Sequence, residues 1–436
     1  MVERRDLGRP FHLMAKPTGA ICNLDCDYCF FLSKEQLYPG SPFRMPEAVL
    51  EAYLAGLLDA HRGMDEVVVA FQGGEPTMMG LEFFRHVVEI ERRLAEPGQV
   101  VLNTLQTNGT LIDDEWATFL SEHGFLVGVS IDGPASMHDA YRHDKGGKPT
   151  FDRVVRGIET LARHGVDWNA LTTVNAANQD HGRDVYRFLR EDLGATYLQF
   201  IPIVERATPH TLPLISAGWG SGVDRPLYVQ DGDLVSERSV APDAYGRFMI
   251  DVFDEWIRHD VGEVFVQAFD TALAHWLGMP EIGLCVHAET CGRSLALEHN
   301  GDVYSCDHFV EPDHLVGNLA DGRTLLQIVD GDKQRAFGLA KRDSMPAKCL
   351  ACDVKFACYG GCPKDRFTLT DSGEPGLNYL CAGYLAFFQH IDEPMRAMAA
   401  RLRAGGDAAD VMTLYSTTMT PDVDAVVAGH AGEERQ

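Results

Sequence analysis

The stretch Ile21–Phe31 reads ICNLDCDYCFF and carries Cys22, Cys26 and Cys29 in the spacing C-x3-C-x2-C. A closed zinc site takes four ligands, and the nearest histidine, His12, precedes the first of these cysteines by ten residues. Three thiolates leave one coordination position open, as a catalytic metal requires. The stretch therefore predicts a metal centre that binds a further ligand at its open position.

Composition limits the classes of protein to consider. The chain has 436 residues, eleven cysteines and a net charge of −26. This charge argues against a nucleic-acid partner, because phosphate contacts need an excess of Lys and Arg. The N-terminal sequence shows no signal peptide and no apolar run is long enough to span a membrane, so we expect a cytoplasmic protein without a membrane partner. An odd number of cysteines then favours metal or cluster ligation over disulfides.

Outward from this stretch, short apolar runs alternate with amphipathic segments. The predicted strands are Phe11–Ala15, Val67–Phe71, Val100–Leu105, Leu126–Ile131, Trp168–Val174 and Tyr197–Ile203. The predicted helices are Met45–His61, Leu81–Leu94, Asp113–His123, Phe151–His164, Asp184–Leu193 and Pro242–His259. This alternation predicts an α/β fold, a partial (β/α)6 TIM-like barrel whose helices lie outside a curled parallel sheet. In such barrels the chemistry takes place at the C-terminal ends of the strands.

Most of the remaining cysteines lie in the C-terminal third. Their spacing reads C-x5-C-x14-C and then C-x2-C-x5-C-x3-C, with one more cysteine after it. The positions are Cys285, Cys291, Cys306, Cys349, Cys352, Cys358, Cys362 and Cys381. These thiols suffice for two four-ligand sites. Spacing alone leaves structural zinc and iron–sulfur clusters open and by itself favours zinc.

Composition shifts along the chain predict its domains. Residues 1–240 form the barrel, with a Pro-, Gly- and Ser-rich loop or insertion at 205–241. Linking helices follow at 242–284 and a cysteine-rich domain at 285–385. A C-terminal helix and a mobile tail are expected at 386–436.

Several motifs together resemble one superfamily. CNLDCDYC, with Tyr28 before the last cysteine, resembles the cluster motif of radical S-adenosylmethionine enzymes, and FQGGEP at Phe71–Pro76 resembles their GGE motif. C-x9-G-x4-C from Cys291 to Cys306, followed by the later cysteines, resembles the SPASM domain. Within that group, FQGGEPTMMGLEFF, LQTNGTLIDDEWATFLSEHGFLVGVSIDGP and YSCDHFV resemble anaerobic sulfatase-maturating enzymes. The resemblance extends from about Met14 to Cys381.

The resemblance implies three 4Fe–4S clusters and S-adenosylmethionine as cofactors. The first cluster would be held by Cys22, Cys26 and Cys29, which leave its fourth iron for S-adenosylmethionine. The first auxiliary cluster would be held by Cys285, Cys291, Cys306 and Cys362. The second auxiliary cluster would be held by Cys349, Cys352, Cys358 and Cys381. Together these sets account for all eleven cysteines.

The resemblance also implies roles for other residues. The residues around S-adenosylmethionine would be Tyr28, Gly73, Gly74, Glu75, Ser130, Arg142 and Val204. Gln72 and Phe31 would lie near the substrate, and Asp307, directly after Cys306, would be the general base. Phe31 departs from the family, which often has Tyr at this position. Phenylalanine forms no hydrogen bond through its side chain, so the handling of the target is open.

The implied reaction is the O2-independent oxidation of a sulfatase Cys or Ser to formylglycine. The expected partners are an unfolded sulfatase or sulfatase-like peptide and an electron donor such as flavodoxin or ferredoxin. An alternative is a SPASM peptide maturase that forms a thioether, carbon–carbon or epimerised product. Many of those carry an N-terminal recognition domain, and here the first cysteine is residue 22. A third alternative, a non-enzymatic iron–sulfur or zinc adaptor, fits poorly with the GGEP motif and the open three-cysteine site.

Overall fold

The computed structural model describes residues 10–219, 226–279 and 283–415. Its strands are β1 His12–Lys16, β2 Glu66–Phe71, β3 Val100–Thr107, β4 Leu126–Ser130, β5 Trp168–Val174, β6 Tyr197–Pro202, β7 Arg206–Ala207, β8 Leu234–Val235, β9 Phe265–Val266, β10 Ser294–Glu298, β11 Asp302–Tyr304, β12 Leu315–Asn318, β13 Thr368–Leu369 and β14 Pro375–Leu377.

The helices occupy the intervals between and after these strands. They are α1 Glu47–Ala60, α2 Leu81–Leu94, α3 Asp114–Glu122, α4 Ala135–His138, α5 Phe151–Arg163, α6 Gly182–Arg187, α7 Leu212–Ser216, α8 Pro242–His259, α9 Gln267–Trp276, α10 Leu325–Val329, α11 Asp332–Asp343, α12 Ala347–Leu350, α13 Lys355–Cys358, α14 Cys381–His390, α15 Asp392–Arg403 and α16 Met412–Tyr415. In the part of the chain that the structure describes, no helix is both long and apolar enough to cross a membrane.

The first six strands lie side by side in chain order, and each neighbouring pair is parallel. Parallel neighbours need crossover connections, which the intervening helices provide. The α/β alternation predicted from the sequence is therefore present. One predicted helix differs, because Asp184–Leu193 is α-helical only as part of Gly182–Arg187 and continues as a π-helical turn over Phe188–Asp192.

The same sheet continues into the cysteine-rich region. β10 pairs in parallel with β1, from His12 beside Ser294 to Lys16 beside Glu298. β11 and β12 then add antiparallel neighbours, so the ten-stranded order in the described residues is β12-β11-β10-β1-β2-β3-β4-β5-β6-β9. This pairing brings β11 and the turn after it, which contains Cys306 and Asp307, to the same side of the sheet as β1, and Lys16 at the end of β1 pairs with Asp307.

Two helices join the parallel strands to the C-terminal part of the chain. Gly246 in α8 faces Gly383 in α14, and a Cβ atom on Gly246 would lie 2.7 Å from the Gly383 Cα. Only glycines allow two helix backbones to approach this closely. After α14, the chain remains packed to the end of the described residues, since Val411 and Tyr415 are buried. The rest of the predicted tail, 416–436, lies outside the described residues.

The segment predicted as a loop at 205–241 packs onto the chain that follows Cys29. Trp219 and Tyr228 are buried against Leu32. Glu205 receives a 3.0 Å hydrogen bond from Arg238 Nε and another 3.0 Å bond from Trp219 Nε1. This segment thus covers one side of the three-cysteine stretch, and its own buried polar contacts hold the segment together.

Candidate active site

The three-cysteine loop, residues 22–29, is fixed by backbone hydrogen bonds to the segment after α4. The amide of Asp25 donates to the carbonyl of His143, and the amide of Asp27 donates to that of Tyr141, each at 2.9 Å. Leu24 forms an isolated bridge with Asp144. The loop therefore has a defined shape although it has little regular secondary structure.

This loop brings its three thiols together in a buried place. Burial, with a contribution from Cys29 among its neighbours, raises the pKa of Cys26 to about 12. Burial likewise raises the pKa of Cys22 well above its ordinary value, with a contribution from Cys26. The amide of Leu24 donates to Cys22 Sγ at 3.3 Å. Clustered buried thiols ionise readily only beside a compensating cation, so this donor set fits an iron–sulfur cluster.

The Gly73–Glu75 loop after β2 lies directly against the three-cysteine loop. The amide of Gly74 donates to the carbonyl of Gly19 at 2.8 Å, and the amide of Glu75 donates to that of Ile21 at 2.9 Å. A Cβ atom on Gly74 would come within 2.0 Å of the Ile21 carbonyl oxygen. Gly73 has φ = 123°, in the region that favours glycine. Both glycines are therefore required for the two loops to meet.

The Glu75 carboxylate is buried and accepts four hydrogen bonds. Oε1 accepts from the amide of Thr77 at 3.0 Å and from the hydroxyls of Thr77 and Thr107, both at 2.7 Å. Oε2 accepts from the amide of Asn108 at 2.8 Å. Burial raises the pKa of Glu75, and these hydrogen bonds oppose that rise. The acceptor capacity left for a cofactor amino group is therefore on Oε2.

Thr107 is the last residue of β3 and Asn108 follows it, within the sequence QTNG, and the sequence reasoning did not single them out. The Asn108 side chain donates to Asn23 Oδ1 at 2.8 Å, and Asn23 Nδ2 donates to the hydroxyl of Thr110 at 2.9 Å. The end of β3 thereby holds both the Glu75 side chain and the three-cysteine loop. Their place at the end of a parallel strand was the signal available in the sequence.

Tyr28 and Arg142 meet at another buried carboxylate, Asp132. The Tyr28 hydroxyl donates to Asp132 Oδ2 at 2.6 Å, and Arg142 Nη1 donates to the Tyr28 oxygen at 2.6 Å. All three residues are buried. Arg142 Nε is buried and has no hydrogen-bond partner among the described residues, so it can still receive an acceptor from a bound group. Asp132, in the DGP turn after β4, was missed by the sequence reasoning.

The other residues expected near the cofactor or substrate lie along the strand ends. Ser130, at the end of β4, accepts a 3.1 Å hydrogen bond from Gln106 Nε2. Gln72 follows β2 and is partly exposed, with its amide bonded to the carbonyl of Ala15 at 2.9 Å. Val204 is buried in the main apolar core. Ser130 and Gln72 therefore remain accessible candidates, whereas Val204 lies among core side chains.

Asp307 is joined through Lys16 to Phe31, in the segment directly after the three-cysteine loop. Lys16 Nζ forms an ion pair with Asp307 Oδ1 and lies 3.9 Å from the centroid of the Phe31 ring. Burial raises the pKa of Asp307, but the charges of Lys16, His308 and Lys34 outweigh it and keep that pKa below its ordinary value. Two residues predicted separately, Phe31 and Asp307, are thus brought to one lysine that the sequence reasoning missed.

The later cysteines fall into two groups in space. Burial raises the pKa of Cys306 well above its ordinary value, and Cys362 and Cys285 raise it further. Burial raises the pKa of Cys291, and Cys285 contributes to this rise. Burial likewise raises the pKa of Cys362 to about 12, with a contribution from Cys291. Cys362 therefore lies with the upstream cysteines, although its sequence neighbours are Cys349, Cys352 and Cys358.

The second group has the remaining four thiols. Burial, with contributions from Cys381, Cys349 and Cys352, raises the pKa of Cys358 to about 12. Burial raises the pKa of Cys381 to about 11, and among the surrounding groups Cys349 contributes most to this rise. Within residues 10–219, 226–279 and 283–415, no three Cys, His, Asp or Glu side chains are gathered closely enough to hold a single metal ion.

The chain is similar to known families and proteins. Residues 17–189 match the radical SAM superfamily, and residues 285–353 match SPASM, an iron–sulfur cluster-binding domain. A serine-type anaerobic sulfatase-maturating enzyme of Bacteroides thetaiotaomicron is 42% identical over 405 residues, which cover 93% of this chain and 95% of that protein. The chain belongs to the anaerobic sulfatase-maturating enzymes. It is therefore a radical SAM enzyme with a SPASM domain.

Other members of the family agree. A cysteine-type anaerobic sulfatase-maturating enzyme of Clostridium perfringens is 32% identical over 388 residues, 87% of this chain and 96% of that protein. A solved structure of native anSMEcpe with bound AdoMet and Cp18Cys peptide is 31% identical and superimposes with a TM-score of 0.74, over 90% of this chain and 99% of that one. These similarities support the radical SAM fold. They also support iron–sulfur binding, which the cysteine spacing alone did not distinguish from zinc binding.

Proposed function

We propose that this protein oxidises a Ser or Cys side chain of a sulfatase-derived peptide to formylglycine without O2, using three 4Fe–4S clusters and S-adenosylmethionine. The proposal is supported by its 42% identical serine-type and 32% identical cysteine-type relatives. The observation that carries it is the convergence of the three-cysteine loop, the Gly73–Glu75 loop and Asp307 at the C-terminal ends of neighbouring strands. This is where a parallel α/β sheet places its chemistry.

The residues present fit these cofactors. Cys22, Cys26 and Cys29 would hold the cluster with an open iron, next to the Gly73–Glu75 loop, whose glycines allow the close packing of the two loops. Glu75 Oε2 and Arg142 Nε retain hydrogen-bonding capacity toward it. When bound, the clusters and S-adenosylmethionine supply one-electron chemistry that removes a hydrogen atom from an unactivated carbon and takes up a second electron.

The two groups of SPASM-region thiols would hold the auxiliary clusters. The first set is Cys285, Cys291, Cys306 and Cys362, and the second is Cys349, Cys352, Cys358 and Cys381. The mutual electrostatic interactions within each group support this division. We expect about twelve irons per chain after anaerobic purification, from three four-iron clusters. Stoichiometric zinc with about four irons would contradict the proposed cluster count.

The protein's part in the reaction is to orient the target and accept its proton. Conversion of the serine hydroxymethyl group to an aldehyde removes one hydrogen atom from the β-carbon, then one proton from the hydroxyl and one electron. For cysteine, the thioaldehyde formed in this way reacts with water and releases hydrogen sulfide. Asp307 accepts the hydroxyl or thiol proton, and its side chain is 25% exposed, so a peptide can reach it.

The remaining assignments complete the proposal. The six parallel strands form a partial (β/α)6 barrel within residues 1–240, and 205–241 is an insertion beside the active site. Residues 242–284 link it to the SPASM domain at 285–385, and 386–436 form a C-terminal extension. The substrate is an unfolded sulfatase segment, the reductant is a small electron carrier such as flavodoxin or ferredoxin, and the reaction takes place in the cytoplasm.

The test is mass spectrometry of a matched pair of sulfatase peptides after anaerobic incubation with the reduced holoenzyme and S-adenosylmethionine. The peptides differ only in Ser or Cys at the target. Formylglycine formation lowers the mass by about 2 Da for serine and about 18 Da for cysteine, and 5′-deoxyadenosine should appear in parallel. A peptide with Ala at the target is the control.

The outcomes separate the proposed function from its alternatives. A product of lower mass by about 2 Da from the cysteine peptide, with sulfur retained in a crosslink, would identify a thioether-forming maturase. An absence of 5′-deoxyadenosine from cluster-loaded, reduced protein would support a non-catalytic adaptor. Either result would contradict the proposed reaction.

A further inference from the structure

We propose that Lys16 is a positioning residue, which holds the Asp307 carboxylate for proton acceptance while resting on the face of Phe31. This inference rests on the proposed function, because it assigns a partner to the proposed base. Lys16 ends β1, and its side chain is only 2% exposed, whereas that of Asp307 is 25% exposed. A peptide can therefore reach the carboxylate, and the lysine acts through it.

The Lys16 side chain contacts three parts of the site. A Cβ atom on Gly73 would lie 3.1 Å from Lys16 Cβ, so the Gly73–Glu75 loop covers the base of the side chain. The ammonium lies 3.9 Å from the centroid of the Phe31 ring and forms the ion pair with Asp307. One side chain thus connects the loop after β2, the segment directly after the three-cysteine loop and the turn after β11.

A buried ammonium needs this set of partners. Removing a charge from water is unfavourable unless an opposite charge and a well-placed second contact compensate. Asp307 provides the charge, and the ring of Phe31 provides a cation–π contact within the usual 6 Å. Because the ring contacts the ammonium from one side, the ammonium has a restricted position relative to Asp307. The ion pair in turn restricts the position of the Asp307 carboxylate.

This arrangement accounts for phenylalanine at position 31. Lys16 needs a ring face there, and Phe provides one without a hydroxyl that would compete for the carboxylate. The ring is itself held, since Phe31 belongs to a buried cluster with Ala296 of β10, Tyr304 of β11 and Val310 from the chain between β11 and β12. A tyrosine would retain the face, whereas an aliphatic residue would remove it. The essential property of this position is therefore aromaticity.

A second buried lysine near Asp307, Lys34, has a different partner. Lys34 Nζ donates to the carbonyl of Tyr228 at 2.5 Å and lies 5.8 Å from the centroid of the Phe30 ring. Its charge contributes to the electrostatic surroundings of Asp307, but the direct ion pair is made by Lys16. This geometry assigns the positioning role to Lys16.

The test compares Lys16→Met with Lys16→Arg in the full-length, cluster-loaded enzyme. In each variant, formylglycine and 5′-deoxyadenosine are measured together with iron content. Lys16→Met should lower the ratio of formylglycine to 5′-deoxyadenosine by about 10-fold or more, which is part of the effect of losing a general base. Iron content and 5′-deoxyadenosine formation should be retained. Lys16→Arg should restore most of the ratio, because it keeps the cation.

A double-mutant cycle shows whether Lys16 acts through Asp307. In an Asp307→Asn background, Lys16→Met should cause no further fall in the product ratio, since coupled residues are not additive. Crystal structures give a readout independent of turnover, in which the Asp307 carboxylate is displaced in Lys16→Met and retained in Lys16→Arg. The proposal would be overturned if the effects of Lys16→Met and Asp307→Asn on the product ratio multiplied in the double variant. It would also be overturned if Lys16→Met left both the carboxylate position and the product ratio unchanged.

Arg190→Met is the matched control. Arg190 Nε pairs with the buried carboxylate of Asp260 at 2.6 Å, beside α8 and away from the three-cysteine loop. It should lower the unfolding temperature and leave the product ratio unchanged. If the wild-type enzyme itself makes 5′-deoxyadenosine without formylglycine, the proposed function fails, and the role of Lys16 in it fails too. If the wild type makes formylglycine and Lys16→Met makes it equally well, only the role of Lys16 fails.

Discussion

Gly74 lies directly against the backbone carbonyl of Ile21, where a Cβ atom would be 2.0 Å from the oxygen. Ile21 immediately precedes Cys22, and its carbonyl accepts the amide of Glu75 at 2.9 Å. The shape of the cysteine loop thus depends on a glycine about fifty residues later in the chain. Because Gly74 has no Cβ atom, the cluster loop can pack directly against the loop that is expected to face S-adenosylmethionine.

Gly74→Ala should disrupt the cluster held by the three-cysteine loop. The contact is with backbone atoms, which have to move, and overpacking of this kind typically costs about 1–3 kcal/mol. We expect a loss of up to about four irons per chain together with loss of 5′-deoxyadenosine formation. Iron analysis and anaerobic turnover check this expectation.

Gly406→Ala is the control, since Gly406 is exposed and its nearest neighbour to an added Cβ is a side-chain oxygen of Asp410 at 3.3 Å. That variant should keep both iron and activity. A Gly74→Ala protein with full iron content and normal 5′-deoxyadenosine formation would show that the two loops can separate without harm to the cluster.

Replacement of all three loop cysteines by alanine should abolish 5′-deoxyadenosine formation. The SPASM-region thiols form separate groups, so their clusters should remain and iron should fall only by about four per chain. Iron analysis and chromatography of the reduced, S-adenosylmethionine-treated variant measure both quantities. Continued formation of 5′-deoxyadenosine would place the catalytic cluster elsewhere.

Much of the fold was predictable because its signals are local. Strands buried on both faces of a parallel sheet appear as apolar runs, and β5 coincides with the predicted Trp168–Val174. α2 and α8 likewise have the predicted bounds, Leu81–Leu94 and Pro242–His259. The cysteine spacing and the GGEP sequence are local too, so they identified the loops that meet in the structure.

The features that could not be predicted depend on pairing between distant segments. Nothing in the sequence around His12–Lys16 indicates that β10 lies beside it, yet this pairing brings Asp307 to Lys16. Asp132 could equally have been a turn residue, since short polar residues are common after strands. Its contact with Tyr28 depends on the closure of the three-cysteine loop. Local pattern identifies candidate residues, whereas their partners follow from topology.

Glu91→Gln should stabilise the protein at alkaline pH. Glu91 is buried in α2, where burial raises the pKa of its carboxyl from 4.5 to about 7. Because the folded-state pKa is the higher one, the stabilising contribution is full below pH 4.5 and is lost as the pH rises to about 7. Asn103 Nδ2 donates to Glu91 Oε2 at 2.9 Å, and a glutamine could return a hydrogen bond to Asn103 Oδ1.

Thermal unfolding at pH 5.5 and pH 8 measures this effect. We expect a gain of about 2 kcal/mol in the free energy of unfolding at pH 8 and a smaller gain at pH 5.5. Glu89→Gln, at an exposed position of the same helix, should change stability little at either pH. Equal effects of Glu91→Gln at both values of pH would contradict a raised pKa at this position.

Asp307→Asn should separate hydrogen abstraction from product formation. Asparagine keeps the shape of the side chain and can still fill the space beside Lys16, but it cannot accept the proton of the target side chain. Loss of a general base typically lowers the rate by about 10²–10⁴-fold. The yield of formylglycine should therefore fall sharply. The yield of 5′-deoxyadenosine and the iron content should be retained, because hydrogen abstraction precedes the proton transfer. A residue that only shapes the turn after Cys306 would behave differently, since its loss would lower iron, 5′-deoxyadenosine and formylglycine together. Asp307→Glu, which keeps the carboxylate at a changed distance, should recover part of the product. A near-normal yield of formylglycine from Asp307→Asn would remove this residue from the mechanism.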